Sequence, residues 1–273
     1  MEIQLWKELL DPYEQAVLEL LTKFHNLKEA HRRRNVYSPI ESVSGRVKTV
    51  ASILEKMQRK GISFEQMEEE VDDIAGIRII CQFVEDISKV EALIDQRTDL
   101  EVRSRQSYLA QNQKKSGYRS LHLHTWYTVQ TIDGPKRLQV EIQIRTMAMN
   151  FWATTEHSLQ YKYKGSIPEH VAMTLSRASD AIGRLDKEMS QVRNEIMNAQ
   201  IDSQIEVNLV KDILRSIENL YRLDNKREVV KIQNEFYRIF SMHDLDELER
   251  FSKQLDILAE GSRAQSVDTH VSS

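Results

Sequence analysis

The stretch RLQVEIQIRT, Arg137 to Thr146, alternates polar and apolar residues without a break. A strict period of two predicts a β-strand with one buried face. The apolar positions are Leu138, Val140, Ile142 and Ile144. The other face carries long donors and acceptors, whereas a strand face that only meets water more often carries Thr, Ser and Lys. We therefore expect this polar face to look toward a ligand.

The composition indicates a folded protein without membrane spans. With 273 residues, 40% of them hydrophobic, the chain can form one large domain or a domain with an extension. No window approaches about eighteen uninterrupted apolar residues, and the N-terminus lacks the features of a secretion signal, so we expect a cytoplasmic protein with no membrane partner. The single cysteine, Cys81, is predicted to be a buried, reduced thiol, which argues against redox chemistry and thiolate zinc sites.

The net charge of −4 conceals local clusters of both signs. Residues 31–34 read HRRR and further cations follow between 46 and 60, whereas residues 68–73 read EEEVDD. The whole-chain charge therefore indicates no partner, and the clusters are the informative feature.

The order of elements predicts a mixed α/β domain over roughly residues 40–145. A first amphipathic helix is predicted to begin at Asp11, with Pro12 at its first helical position. A second helix is predicted to enter from Gly45 and Arg46 and to end at Gly61. After it come, in order, a strand, a helix, an edge-like strand and a hairpin with a DG turn: IAGIRIICQFV, DISKVEALIDQR, LEVRSRQSY, and YRSLHLHTWYTV joined to RLQVEIQIRT.

The remainder of the chain is predicted to be helical. Apolar residues recur at alternating steps of four and three, which is a heptad seam and favours helix pairing within the chain or across a subunit interface. The seam residues are Val171, Leu175, Ala178, Ile182, Leu185, Met189, Val192, Ile196 and Ala199. Amphipathic helices are predicted at 204–222, 226–241 and 244–260, followed by a disordered tail.

One face of the second predicted helix carries Lys48, Ser52, Lys56 and Arg59. Polar residues at this spacing more often form only the solvent-exposed face of a helix. Here Gly45 and Arg46 precede it and place donors near a helix N-terminus, where free amides and the helix dipole favour anions. The row is therefore a candidate polyphosphate site, although it matches neither a Walker loop nor a dinucleotide fingerprint.

Two acids are candidates for binding Mg²⁺. Asp73 directly precedes an apolar strand, where an acid is often only a cap but is also suited to holding a hard cation. Glu141 projects from the donor-rich face of the predicted strand over residues 137–146. If the two strands are neighbours, both carboxylates would serve one metal.

The segment KKSGYRSLHLH, residues 114–124, combines charge, a glycine and an aromatic ring. Gly117 permits close backbone approach, and Tyr118 is suited either to strand packing or to stacking on a base, which is worth about 1–3 kcal/mol. His122 and His124 share one strand face, but without a third nearby His or Cys they do not predict a zinc site.

Five motifs, taken in order, resemble the synthetase domain of RelA/SpoT-type enzymes, most closely the hydrolase-free small alarmone synthetases. The motifs are SGRVK with the helix face after it, DIAGIRI, SGYRSLH, VEIQIRT and AMNFWATTEHSLQYKY. The resemblance implies a nucleotidyltransferase-like α/β (α+β) domain with a mixed β-sheet over 1–200, including its N-terminal helix and C-terminal oligomerisation helices. An all-helical extension of unknown role over 201–261 and a disordered tail over 262–273 complete the predicted organisation.

The resemblance implies transfer of the β,γ-pyrophosphate of ATP to the 3′-hydroxyl of GTP or GDP, with Mg²⁺ as cofactor, in a homotetramer that makes the stringent-response alarmone. Catalysis in such a site is mostly alignment and charge neutralisation. On the ATP side, Arg46 and Arg78 would sandwich the adenine. The expected ligands of the ATP phosphates are Lys48, Ser52, Lys56 and Arg59.

The resemblance also implies the acceptor side of the site. Asp73 and Glu141 would be catalytic and hold Mg²⁺, with Glu141 as the base on the 3′-hydroxyl. Tyr118 would stack on the guanine. The remaining expected contacts to GTP are Lys114 and His122 near its phosphates, and Gln143 and Asn150 beside them.

The chain departs from the family pattern at two places. Before the acceptor tyrosine it has an inserted residue on either side of Tyr108, which makes Arg105 and Lys114 harder to assign than Tyr118. Ser42 stands where the tetrameric branch carries an aromatic residue in its alarmone-binding cleft, which argues against activation by product.

Three other readings stay open at this point. An RNA-binding regulator could keep the fold and lose catalysis, which the basic HRRR segment would suit. A related enzyme could attach pyrophosphate to tRNA or adenosine nucleotides, because Tyr118 alone does not choose between purines. A structural coiled-coil protein is the third, and the apolar strands between 74 and 145 argue against it. DNA is not an expected partner.

Overall fold

The computed structural model describes residues 2–109, 117–162, 168–223, 226–242 and 244–270. The chain divides into two compact units, Met1–Gln191 and Val192–Ser273. Its elements are α1 (Glu2–Arg33), β1 (Ser42–Val47), α2 (Val50–Lys60), α3 (Met67–Glu70), β2 (Ala75–Cys81), α4 (Val84–Asp95), β3 (Leu100–Ser107), β4 (Leu121–Thr131), β5 (Gly134–Thr146), α5 (Met147–Lys162), α6 (Glu169–Leu223), α7 (Lys226–Phe240) and α8 (Leu245–His270).

The first unit is built on a five-stranded mixed sheet with the order β1-β2-β5-β4-β3. The β2–β5 pair is parallel and the other neighbouring pairs are antiparallel. The strand with strict polar and apolar alternation, β5, therefore lies at the centre of the sheet. The predicted α/β class with a mixed sheet and flanking helices is confirmed.

Both faces of β5 are covered in its second half. Ile142 and Ile144 are fully buried on the apolar face. On the opposite face Gln139 is 2% exposed, Glu141 9% and Arg145 4%. These three polar side chains are therefore buried: α3 covers Gln139, and Glu141 and Arg145 line the candidate site described below.

The apolar face of the sheet packs against helices. Residues of α1, including Tyr13, Leu20 and Phe24, and residues of α4, including Ile87 and Val90, join the strands in one hydrophobic core. The contact between α1 and β1 is close, because a Cβ built on Gly45 would lie 2.7 Å from a methyl group of Val17.

Two predictions near the N-terminus are wrong. The first helix begins at Glu2 rather than at Asp11, and Pro12 lies inside it. Trp6, Leu9 and Leu10 pack partly buried against the core, and that burial stabilises the turns before the proline.

The predicted helical entry at Gly45 and Arg46 is also wrong. Both residues lie in β1, which pairs with β2, and α2 begins only at Val50. The N-cap of α2 is Thr49, whose side chain accepts a hydrogen bond from the amide of Ser52. Pairing with a neighbouring strand stabilises β1, although its own sequence, SVSGRV, carries a weak strand signal.

The second unit contains the end of α6 together with α7 and α8. It has a hydrophobic core of its own, composed of Ile213, Ile217, Leu220, Val229, Phe236, Ile239, Leu248, Phe251 and Leu255. Helix α6 is continuous over 55 residues, where the sequence predicted two helices separated near residue 200. Helix α8 continues to His270. The division at 200 and 261 and the tail over 262–273 stay predictions.

Much of the heptad seam of α6 is solvent-exposed in the single chain. Leu185 and Met189 are each 46% exposed, and Ile196 is 54% exposed. The inward side of the same helix carries small or polar residues instead, among them Ser179, Asp186 and Ser190, which are buried. In the part of the chain that the structure describes, no helix is long and apolar enough to cross a membrane.

Candidate active site

The register of the sheet gathers the predicted residues on one face. Adjacent strands place the following residues side by side in two rows: Arg46, Gly76, Glu141 and His124 in the first, and Ser44, Arg78, Gln143 and His122 in the second. Side chains two residues apart on a strand share a face, so both rows face the same side. Because Gly76 has no side chain, the first row leaves space between the guanidinium of Arg46 and the carboxylate of Glu141.

Three cavities open along this face and share Arg46. The first is bordered by β1, β2 and β5 and is lined by Ser44, Gly45, Arg46, Asp73, Gly76, Ile77, Arg78, Glu141 and Gln143. The second has a volume of about 660 Å³, and Tyr118, His122, Arg145 and His157 join its lining. The third lies along α2 and is lined by Arg46, Lys48, Ser52, Glu55, Lys56, Arg59 and His157. Together they include every predicted site residue except Lys114 and Asn150.

Glu141 is held by donors on both carboxylate oxygens. His122 Nδ1 lies 2.8 Å from Oε1, and Gln143 Nε2 donates to Oε2 at 2.7 Å. Burial alone would raise the pKa of Glu141, but the hydrogen bonds from both partners and the charge of a protonated His122 outweigh burial and lower it. The carboxylate is therefore ionised near neutral pH and fixed in one orientation.

Tyr118 continues this chain of hydrogen bonds. Its hydroxyl lies 2.8 Å from His122 Nε2 and accepts a hydrogen bond from the guanidinium of Arg145. That guanidinium also lies 4.9 Å from the centre of the tyrosine ring. Because Nδ1 of His122 faces a carboxylate, a neutral His122 carries its proton on Nδ1, and its Nε2 accepts a hydrogen bond from the hydroxyl of Tyr118.

In the cavity along α2, two of the cations predicted for phosphate binding are paired with aspartates. Lys48 lies 2.6 Å from Asp73, and Lys56 bridges Asp73 at 2.8 Å and Asp72 at 2.7 Å. Burial would raise the pKa of Asp73, but the two lysines outweigh it and lower that pKa. Conversely, burial would lower the pKa of Lys56, and the two aspartates raise it. A polyphosphate would therefore compete with Asp72 and Asp73 for these lysines.

Arg78 lies in the cavity without a full set of hydrogen-bond partners among the described residues. Nε of Arg78 is buried and has no hydrogen-bond partner among the described residues. Burial lowers the pKa of Arg78, and the charges of Arg145 and Arg46 lower it further. An anion bound between Arg46 and Arg78 would relieve the repulsion between the two guanidinium groups, and the flat guanidinium of an arginine is also suited to stacking on a ring.

Two predicted residues stand apart from the others. Lys114 lies outside the described residues. Asn150 lies on α5, outside the cavity linings, and its buried Oδ1 has no partner in the described chain.

The sequence reasoning missed three residues that the structure places at the site. Arg145 lies on the same strand as Glu141 and Gln143, and the alternation of that strand places its side chain on the same face as theirs. It lines the second cavity. Asp72 binds Lys56, and His157 lines two of the cavities. His157 lies within the motif AMNFWATTEHSLQYKY, but the motif alone assigned it no role, since it reaches the site through the packing of α5.

The pair Asp73 and Glu141 fits a magnesium ion that arrives with a nucleotide. Both carboxylates line the same two cavities, and the charge of Asp73 acts on the pKa of Glu141. Among the described residues no group of three or more His, Cys, Asp or Glu could hold a metal alone. Mg²⁺ is commonly bound by one or two carboxylates together with substrate phosphates, so two hard oxygen donors suffice.

Comparison with known proteins gives a consistent picture. The region found in RelA/SpoT proteins matches residues 45–166. GTP pyrophosphokinase YjbM of Bacillus subtilis (strain 168) is 52% identical over 200 residues, which cover 73% of this chain and 94% of that protein. Small alarmone synthetase 1 from Bacillus subtilis, solved bound to its product pppGpp, has a TM-score of 0.68 at 52% identity, covering 71% of this chain and 98% of that one. Bound to AMPCPP, it has a TM-score of 0.64 at 48% identity, covering 71% of this chain and 99% of that one.

A mixed sheet with a carboxylate pair and a cationic helix beside one cavity is the arrangement of a nucleotide-dependent group-transfer enzyme. The chain belongs to the RelA/SpoT family and is a GTP pyrophosphokinase, a (p)ppGpp synthetase of the small alarmone synthetase type. The family resemblance drawn from the five motifs is therefore confirmed.

Proposed function

We propose that the three cavities form one active site in which ATP gives its β,γ-pyrophosphate to the ribose 3′-hydroxyl of GTP or GDP. The observation that carries this proposal is that Asp73 and Glu141 face one cavity, with Arg46 and Arg78 on one side and Tyr118 on the other. Two structures of one relative support it, since small alarmone synthetase 1 from Bacillus subtilis has been solved with pppGpp and with AMPCPP.

The donor half is the cavity along α2. Arg46 and Arg78 bind the adenine between their guanidinium planes, while the helix face binds the phosphates. Those phosphate ligands are Lys48, Ser52, Lys56 and Arg59. ATP thus takes the lysines from Asp73 and leaves its carboxylate available for a metal.

Mg²⁺ bound by Asp73, Glu141 and the nucleotide phosphates would neutralise the charge that develops on the transferred group. The protein supplies the alignment. Glu141 keeps its orientation through Gln143 and accepts the proton of the 3′-hydroxyl as that oxygen attacks the β-phosphorus. The bond between the β-phosphorus and the oxygen of the α-phosphate breaks in the same step, and AMP leaves.

The acceptor half is formed by β4 and β5. Tyr118 stacks on the guanine, His122 and Lys114 bind the phosphates of the acceptor, and Gln143 and Asn150 support the same side. The buried Oδ1 of Asn150 supports this assignment, because it has an unmet capacity to accept a hydrogen bond in the described chain.

We further propose that the protein is a cytoplasmic homotetramer assembled through α6. The exposed seam residues Leu185, Met189 and Ile196 would be buried by a second copy. Light scattering should give four times the chain mass, and Met189→Glu should reduce it. Lys187→Glu, on an exposed position of the same helix, should not.

The test of the proposed reaction uses purified protein, Mg²⁺, γ-labelled ATP and a choice of acceptors: GTP, GDP, ATP or tRNA. The label is expected on guanosine penta- or tetraphosphate. Label on tRNA or on an adenosine nucleotide would keep the donor half and overturn the acceptor assignment. Absence of transfer together with salt-sensitive RNA retention would favour an RNA-binding regulator instead.

A further inference from the structure

The first half of α6 lies directly against the loop that carries the acceptor tyrosine. Ser179 is 1% exposed, and its hydroxyl donates a hydrogen bond to the carbonyl of Gly117. A Cβ built on Gly117 would lie only 2.6 Å from the Cβ of Ser179, and Gly117 has φ of +92°. No other residue type would allow this approach of the loop to the helix without a shift.

Arg119 is held by the next turn of the same helix. Its guanidinium lies over Gly183, where an added Cβ would be 2.7 Å from Nη1 and 2.8 Å from Cζ. The guanidinium also lies 3.3 Å from a carboxylate oxygen of Asp180, and Nε lies 3.4 Å from the hydroxyl of Ser179. Gly183 thus provides the flat surface that this cation needs.

Helix α6 therefore contacts both chain neighbours of Tyr118, namely Gly117 and Arg119. One turn further along α6, the buried Asp186 accepts a hydrogen bond of 2.9 Å from Thr146, the residue after Arg145. The helix thus fixes the backbone on both sides of the tyrosine and the strand end that carries the guanidinium bound to its hydroxyl.

We propose that Ser179 and Gly183 are positioning residues for the acceptor nucleotide and act through the placement of Tyr118. The inference rests on the proposed role of Tyr118 in binding guanosine. Neither residue lines the cavities, so neither is expected to touch a substrate.

Gly183→Ala is the sharpest test. Alanine is the better helix former, and the group that must move is the flexible end of Arg119, so the variant should fold with an unchanged or raised melting temperature. We expect KM for GTP to rise about tenfold or more, since small misplacements of a binding group have large effects. KM for ATP should stay as in the wild type.

Two further variants distinguish a positioning role from a non-specific effect of substitution in α6. Gln191→Ala, on an exposed position of the same helix, should change neither KM. In an Arg119→Ala background, Gly183→Ala should have no additional effect on KM for GTP, because the group that its Cβ displaces is already absent.

Ser179→Ala provides an independent test, since it removes the hydroxyl that reaches Gly117, and KM for GTP should again rise more than KM for ATP. Unchanged KM values for GTP in both single variants, or equal rises for both substrates with a lower melting temperature, would overturn the inference. Failure of the proposed function is distinguishable, because the wild type itself would then transfer nothing to GTP.

Discussion

Both carboxylate oxygens of Glu141 accept hydrogen bonds, and this has a direct consequence for its substitution. In Glu141→Gln an amide NH₂ would face either His122 or Gln143, both of which donate in the wild type, and the negative charge would be lost. We expect kcat to fall by at least about 10²-fold, comparable to the loss of one group that stabilises a transition state. Chromatography of labelled products measures the change.

The matched control for this variant is Glu101→Gln, the same substitution on the neighbouring part of the sheet. Glu101 is on the surface, where it pairs with Arg137. The activity of Glu101→Gln should equal that of the wild type. Glu141→Gln should still bind fluorescent ATP analogues. Normal turnover by Glu141→Gln would remove this residue from the proposed mechanism.

Asp73 gives a prediction about pH. Its pKa in the folded protein is below the ordinary value of 3.8, so its ion pairs with Lys48 and Lys56 stabilise the fold above pH 3.8 and lose that effect as pH falls through the lowered pKa. In metal-free buffer, Asp73→Asn should therefore lower the free energy of unfolding at pH 7, and the difference from wild type should shrink below pH 3.8.

Tryptophan fluorescence suits this measurement, because Trp6, Trp126 and Trp152 all lie in the first unit. Denaturant titrations at pH 7 and near pH 3 compare the two proteins. A difference that is the same at both values would show that the charge of Asp73 does not contribute.

Helix α1 and strand β1 approach each other closely at Gly45, the residue before Arg46. Gly45→Ala would place a methyl group 2.7 Å from Val17 and 3.0 Å from Ile77. Overpacking of this kind costs about 1–3 kcal/mol, and we expect the free energy of unfolding to fall by that amount. The same fluorescence titration measures it.

Gly76→Ala is the control, because the nearest atoms to its added Cβ lie 3.9 Å away. Both glycines lie on paired strands, so their backbone effects are similar. Equal losses of stability in the two variants would contradict the overpacking explanation.

Period-two patterns predicted the elements of the sheet well. Strands β2, β4 and β5 carry long apolar runs or strict alternation, and their positions follow from the sequence alone. The burial of their apolar faces dominates any competing propensity. The same alternation placed Glu141 and Gln143 on one face, and it would also have placed Arg145 there.

Features that depend on tertiary pairing could not be predicted. Strand β1 is stabilised by its neighbour β2, and the first turns of α1 are stabilised by burial before Pro12. Likewise the position of His157 beside the cations of α2 depends on how α5 packs. No pattern of adjacent residues records such long-range contacts.

At the scale of the whole molecule, the segment shared with YjbM should be sufficient for the reaction. YjbM is matched over 94% of its own length by 200 residues of this chain. Because the first unit ends at Gln191 and contains the proposed site, a chain that ends after Gln200 should keep transfer activity close to that of the full chain. A chain that ends after Pro168 lacks α6, and it should lose affinity for GTP.

The extension has its own hydrophobic core and so is expected to fold as a separate unit. Complete loss of transfer in the chain that ends after Gln200 would instead make the extension part of the catalytic machinery. Circular dichroism of that chain would first establish that its sheet is intact.

The parallel pairing of β2 with β5 has a consequence for the timing of synthesis. Asp73 comes just before β2, but Glu141 lies on the last strand of the sheet to leave the ribosome. Contacts between segments far apart in sequence form slowly, because a long loop must close first. A nascent chain that ends before residue 134 therefore carries the cations of α2 without the second carboxylate. In the proposed mechanism such a chain lacks the base that accepts the proton of the 3′-hydroxyl, so alarmone synthesis is expected to begin only after β5 has docked.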